Sequence, residues 1–173
     1  MEKAKTARKF RPIPLSKATN AYDLMKDVCR DILRAPRRIR MGTVQSLQGD
    51  PHGSLPDNFY AGCGAAGCAA GWVAFERGVK TRETDTAERI LGKDLHYNTV
   101  CSDESLPLLK GRGWGHDNSY VFNAGVGDVV AHTYQGTKEH AEAVVERLKR
   151  FMQINEVALK ARKLKPVTKR VRE

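Results

Sequence analysis

Toward the C-terminal end of this 173-residue chain, Ala141, Val144, Val145, Leu148, Phe151 and Met152 recur at three- and four-residue spacing. An α-helix puts such positions on one face and a strand does not. Thr137 offers a side-chain oxygen as N-cap, and Glu139 places a negative charge at the positive end of the helix dipole. A second stripe, Ala21, Leu24, Met25, Val28, Cys29, Ile32 and Leu33, follows Asn20, which caps it with Asp23 three residues on. Pro36 ends that helix, because the residue before a proline is pushed out of helical backbone. The spacing therefore predicts helices from about Ala21 to Arg34 and from Thr137 to about Asn155, with continuation beyond Asn155 in a fading apolar stripe.

Between them the signals are shorter. A helix is predicted from about Ala65 to Arg77, closed by Gly78 in the left-handed C-cap position. Its small residues allow close backbone approach, which makes it the expected central helix. A short helix starts near Thr84 or Asp85, includes Ala87, Ile90 and Leu91, and stops at Gly92. Residues 37–41 read as a short extended piece with Ile39 and Met41 facing in and the arginines facing out. Residues 48–58 are loop by composition. From Lys93 to Gly136 glycines punctuate the chain, and Tyr120–Phe122 and Val129–Ala131 are strand candidates for a hairpin. The fold class is mainly α, one small helical domain, with that hairpin insertion giving an α+β variant. The length suits one well-buried core.

Charge divides the chain more sharply than its elements do. Residues 1–17 hold six Lys and Arg against one Glu, net +5, and residues 147–173 hold ten against two, net +8. The chain as a whole is +10, so residues 18–146 sum to −3. Pro12 and Pro14, without apolar periodicity, make 1–17 an extended basic arm. The organisation expected is an arm at 1–17, a helical core at 18–155 and a basic tail at 156–173. Such ends attract polyanions and gain affinity by releasing counterions from a phosphate backbone. Lys3, Lys5, Arg8, Lys9 and Arg11, the cluster Arg37, Arg38 and Arg40, and Lys160, Arg162, Lys163, Lys165, Lys169, Arg170 and Arg172 are the candidate nucleic-acid contacts. A solvated, merely solubilising role is the plainer reading of the same residues.

Other constellations carry less. Ala61 to Phe75, the longest weakly polar run, is short of the roughly 20 apolar residues of a membrane span. The charged start never reaches an apolar stretch, so a cytoplasmic protein without a secretory leader or membrane partner is expected. Four cysteines then read as reduced thiols or ligands rather than a disulfide framework. Gly62-Cys63-Gly64-Ala65-Ala66-Gly67 fits G-x-G-x-x-G, but no apolar strand precedes it, so its glycines are better explained by a tight turn. Cys63 and Cys68 are weak candidates for zinc, spaced more widely than a C-x2-C knuckle, with Cys101, His96, His52 or His116 to complete a set. Alternatively Cys63 is a dipole-activated thiol at a helix start, and Cys68 a small core hydrophobe. No cofactor is assigned, and a non-enzymatic role is favoured.

The segment Cys63-Gly64-Ala65-Ala66-Gly67-Cys68-Ala69-Ala70-Gly71-Trp72 resembles a family of small uncharacterised bacteriophage and bacterial proteins marked by a Cys-Gly-x-x-x-Cys-x-Ala-Gly-Trp helix start. Pro36 to Met41 resembles that family's Pro-x-x-aromatic-x-Met turn, with Ile39 in the aromatic place. Ala87 to Gly92 resembles its Ala-x-x-Leu-Leu-Gly helix end, and Thr137 to Phe151 its Thr-x-x-x-Ala closing helix. The similarity covers residues 20–155 in patches, with Ala65 replacing a Thr and 111–127 as an insertion. It implies a shared fold and a viral or mobile-element origin, not a reaction. The expectation is a phage-type accessory protein that binds nucleic acid or a nucleoprotein assembly through its basic ends. The alternatives are a protein-binding module that inhibits a host or defence complex, and a small thiol- or zinc-dependent enzyme.

Overall fold

A computed structural model describes residues 13–39, 46–47, 65–81, 83, 85–97 and 136–168. Helix α1 spans Ala21–Arg34, the range its stripe predicts. The Asn20 amide oxygen accepts the Asp23 N–H at 2.9 Å while its NH2 donates to the Asp23 carboxylate at 2.8 Å. Leu24, Met25, Val28 and Ile32 are completely buried, and Leu33 at the margin of the stripe is 43% exposed. Pro36 opens a single 3-10 turn, Pro36–Arg38.

That turn corrects the extended reading of 37–41. A 3-10 turn rotates successive side chains by about 120°, not the 180° of a strand. Ile39 is buried as expected, but Arg38 goes inside with it and is only 5% exposed, while Arg37 stays in solvent. Met41 and Arg40 lie outside the described residues.

Helix α2, Ala69–Glu76, is shorter than predicted, because its expected first residues are held extended. Ala65–Ala66 (β2) pairs antiparallel with Ser46–Leu47 (β1), and Gly67 donates its N–H to the Arg38 carbonyl at 3.0 Å. Cys68, not Cys63, is therefore the cap residue. At the other end Gly78 takes φ +68°; its N–H reaches Phe75 O at 3.0 Å, and Val79 N–H reaches Ala74 O at 2.9 Å. These two bonds form a Schellman closure, which needs a residue tolerant of left-handed backbone. All residues of α2 are buried, with Trp72 and Phe75 edge to face at 5.9 Å.

Helix α3, Thr86–Leu91, ends at Gly92 as read. Helix α4, Lys138–Ile154, is capped by Thr137 Oγ1, which accepts the His140 N–H at 3.1 Å. The predicted continuation is α5, Glu156–Ala161, set off from α4 by Asn155. Helix α1 lies among α4, α2 and α5, and α3 packs on α2. The described part is thus a mainly α domain with one two-residue strand pair. The hairpin candidates at 120–122 and 129–131 lie outside the described residues. No helix among the described residues is long and apolar enough to cross a membrane.

Candidate nucleic-acid interface

Both basic ends begin as part of the body. Ile13, Ser16 and Ala18 are buried, and so is Leu159. Beyond α5 the chain runs extended against the segment that leads into α1. Ala21 donates its N–H to Arg162 O at 3.0 Å, Leu164 donates to Thr19 O at 2.8 Å, and Asn20 and Lys163 sit opposite each other in antiparallel pairing. The first N–H of α1, which no helical carbonyl can reach, is satisfied by the C-terminal segment.

Further along, the two runs share one support. Ser16 N–H donates to Glu76 O at 2.9 Å, and the guanidinium of the next residue, Arg77, donates to Lys165 O. Ser16 Oγ also reaches Asp27, two turns into α1, at 2.6 Å. Both segments therefore run from the N-terminus of α1 toward its middle, side by side and opposite in chain direction.

The structure sorts the candidate contacts. Arg37, Lys163 and Lys165 are exposed. Leu164 packs against the core between the two lysines. Alternate residues of an extended segment share a face about 6.5–7 Å apart, so Lys163 and Lys165 present two neighbouring charges. Arg162 is exposed but occupied: its Nε and Nη2 donate to Ile90 O and Arg89 O at 3.3 and 3.2 Å, closing the carbonyl end of α3. Lys160 is tied to Glu156 at 2.6 Å and lies 5.1 Å from the centre of the Tyr22 ring. Arg38 is withdrawn into the body. Lys3, Lys5, Arg8, Lys9, Arg11, Arg40, Lys169, Arg170 and Arg172 lie outside the described residues. Sequence reading passed over Lys17, exposed on the seam, and Arg77, which anchors it; a helix-closing Arg gives no sign of a partner 88 positions away.

The described thiols are not activated. Burial pushes Cys68 up to about 11 and Cys29 up to about 12, away from the thiolate that a nucleophile or zinc ligand requires. Cys29 lines an open groove of about 480 Å³ between α1 and α4, with Tyr22, Lys26, Arg30, Leu33, Val145, Lys149 and Met152, and the charge of Lys149 offsets only part of the effect of burial on the thiol. Among the described residues no group of three or more His, Cys, Asp or Glu could hold a metal ion. Cys63, Cys101, His52 and His116 lie outside those residues, and His96 is exposed on the turn after α3. The chain matches no model of a known protein family, no curated protein and no solved structure.

Proposed function

We propose that this is a non-enzymatic accessory protein of bacteriophage type, which binds nucleic acid or a nucleoprotein assembly in the cytoplasm through its two basic ends. One observation carries the reading: the pairing of residues 19–21 with 162–164 brings together the two segments that hold the chain's net positive charge. Across that pairing Lys17 on one segment and Lys163 and Lys165 on the other are exposed, and the sequence of the two ends, +5 and +8, contrasts with the −3 of residues 18–146. A phosphate backbone is the ligand such a surface suits, because each neutralised phosphate releases condensed counterions.

The test is the salt dependence of binding to a duplex and to a single strand. Converting Lys163 and Lys165 to Gln in the full chain should lower affinity for all sequences alike. It should also flatten the slope of log K against log salt by about 0.9 per lost duplex contact, or about 0.7 for a single strand. Neutralising Lys3, Lys5, Arg8, Lys9 and Arg11 should flatten it further. Affinity and slope unchanged in both variants would overturn the proposal.

A further inference from the structure

Where α2 meets α1, the body buries a carboxyl group that no donor serves. Glu76 is 0% exposed, and among the described residues no N–H or O–H reaches either of its side-chain oxygens. Asp31 of α1, 4% exposed, stands within hydrogen-bond reach of it, and its own needs are met by arginines. Arg30 grips both Asp31 oxygens, at 2.9 and 3.0 Å, and Arg34 adds a bond at 3.3 Å. Asp31 is therefore the anion of the pair, and the one hydrogen bond left to Glu76 is a bond it donates. A buried carboxylate beside another carboxylate has neither solvent nor counter-charge, whereas a carboxylic acid hydrogen-bonded to that carboxylate is satisfied.

We infer that Glu76 is a carboxylic acid in the folded protein, and that the proton it shares with Asp31 is a latch joining α1, α2 and the basic seam. The seam belongs to the latch because the Glu76 main-chain carbonyl holds Ser16, and the neighbouring Arg77 holds Lys165. The charged groups that act most strongly on Glu76 all come from α1: Asp31 and Asp27, which oppose its ionisation, and Arg30, which favours it. Arg30 is already committed to Asp31 and to Asp27, at 2.6 Å. From the entering segment Ser16 turns its hydroxyl to Asp27, leaving Glu76 only its backbone N–H donated to the carbonyl, and Lys17 is in solvent.

Burial first, and then the Asp31 bond and charge, push Glu76 up to about 9. Burial alone would raise Asp31 too, but the bonds from Arg30 and Glu76 and the charges of Arg30 and Arg34 hold it below the usual range. In the unfolded chain Glu76 ionises at its ordinary value, so the folded state binds the extra proton. The latch is complete below the ordinary carboxyl range and weakens as pH rises through the folded value. Across that window the folding constant loses close to tenfold per pH unit from this group alone.

Carbon-13 NMR titration of the full chain, with the Glu76 carboxyl assigned by its absence in Glu76→Gln, reads the proton directly. The midpoint should fall far above the ordinary carboxylate range, near 9. Glu76→Gln keeps a neutral donor toward Asp31, so its urea stability should be flatter than wild type between neutral and alkaline pH. The Ser16 N–H should likewise stay protected from hydrogen exchange at alkaline pH in this variant and lose protection in wild type. A midpoint at the ordinary 4.5, or the same pH slope in both proteins, would overturn the inference. If Glu76→Gln does not fold, Asp31→Asn serves in its place: removing the anion should draw the Glu76 midpoint down, and an unmoved midpoint would refute the shared proton.

Discussion

Asn155 separates α4 from α5, and its replacement tests how the long helix is tied to the turn after α3. The side chain is 4% exposed. Its oxygen accepts the His96 N–H at 2.9 Å, while its NH2 donates to Phe151 O at 3.0 Å and more weakly to His96 O at 3.5 Å. The same turn places the Tyr97 ring against Phe151, stacked at 5.3 Å between centroids. Asn155→Ala removes the bond to Phe151 O, a net ~1 kcal/mol, and leaves the His96 N–H without its acceptor at a cost of about 1–3 kcal/mol. Phe151 O keeps the backbone N–H of residue 155 at 3.1 Å, so it adds little. The expected loss in urea unfolding is about 2–4 kcal/mol. Asn155→Asp separates the terms. An aspartate keeps an acceptor for His96 but turns its other oxygen toward two carbonyls, so this variant should be weakened at neutral pH and recover on acidification, when the protonated acid can donate. A loss below about 0.5 kcal/mol for Asn155→Ala, the range of ordinary surface changes, or an Asn155→Asp variant insensitive to pH, would show that the junction is held by apolar packing alone.

Two more outcomes follow from local geometry. Asn20→Ala and Thr137→Ala each delete an N-cap acceptor, at 2.9 and 3.1 Å, and should each lower stability by about 1 kcal/mol by thermal or urea unfolding. Losses near zero for both would mean that tertiary contacts alone set the helix starts. With a thiol reagent at neutral pH and peptide mapping, Cys29 and Cys68 should remain unmodified in the native chain and react fully in denaturant, since both are buried and shifted upward. Rapid native labelling of Cys68 would reverse its assignment as a core residue.

What could be read from the sequence depended on whether the cause of each element was local. The bounds of α1 come out as predicted because its cap, stripe and stop, Asn20, Leu24 to Ile32 and Pro36, are all nearest-neighbour chemistry. The start of α2 comes late because Gly67 is bonded to Arg38, and nothing around Gly67 records that distant carbonyl. Arg38 was misplaced for a related reason: one apolar residue between arginines fits a strand and a 3-10 turn equally. The basic C-terminal segment resembled a solvated tail because it is anchored by Leu159 and Leu164, which form no periodic stripe. Glu76 follows the weakly polar run Ala61 to Phe75 with no local sign of burial. Its burial beside Asp31 comes from the packing of α1 on α2, which pattern alone does not specify.

The seam also decides how the binding proposal has to be tested. If the basic ends were plain appendages, cutting the chain at 17 and 156 would separate scaffold from ligand contact. Here such cuts would expose the first N–H of α1, uncover the carbonyls at the end of α3 that Arg162 closes, and remove the buried Leu159. The truncated body would lose affinity because it had lost structure, and the result would be indistinguishable from a true loss of contacts. Charge substitution avoids the confusion. Lys163 and Lys165 contribute backbone pairing through atoms that Gln retains, and side chains that end in solvent. A change in salt slope at constant unfolding midpoint can then come only from the charges, which is the quantity the proposal is about.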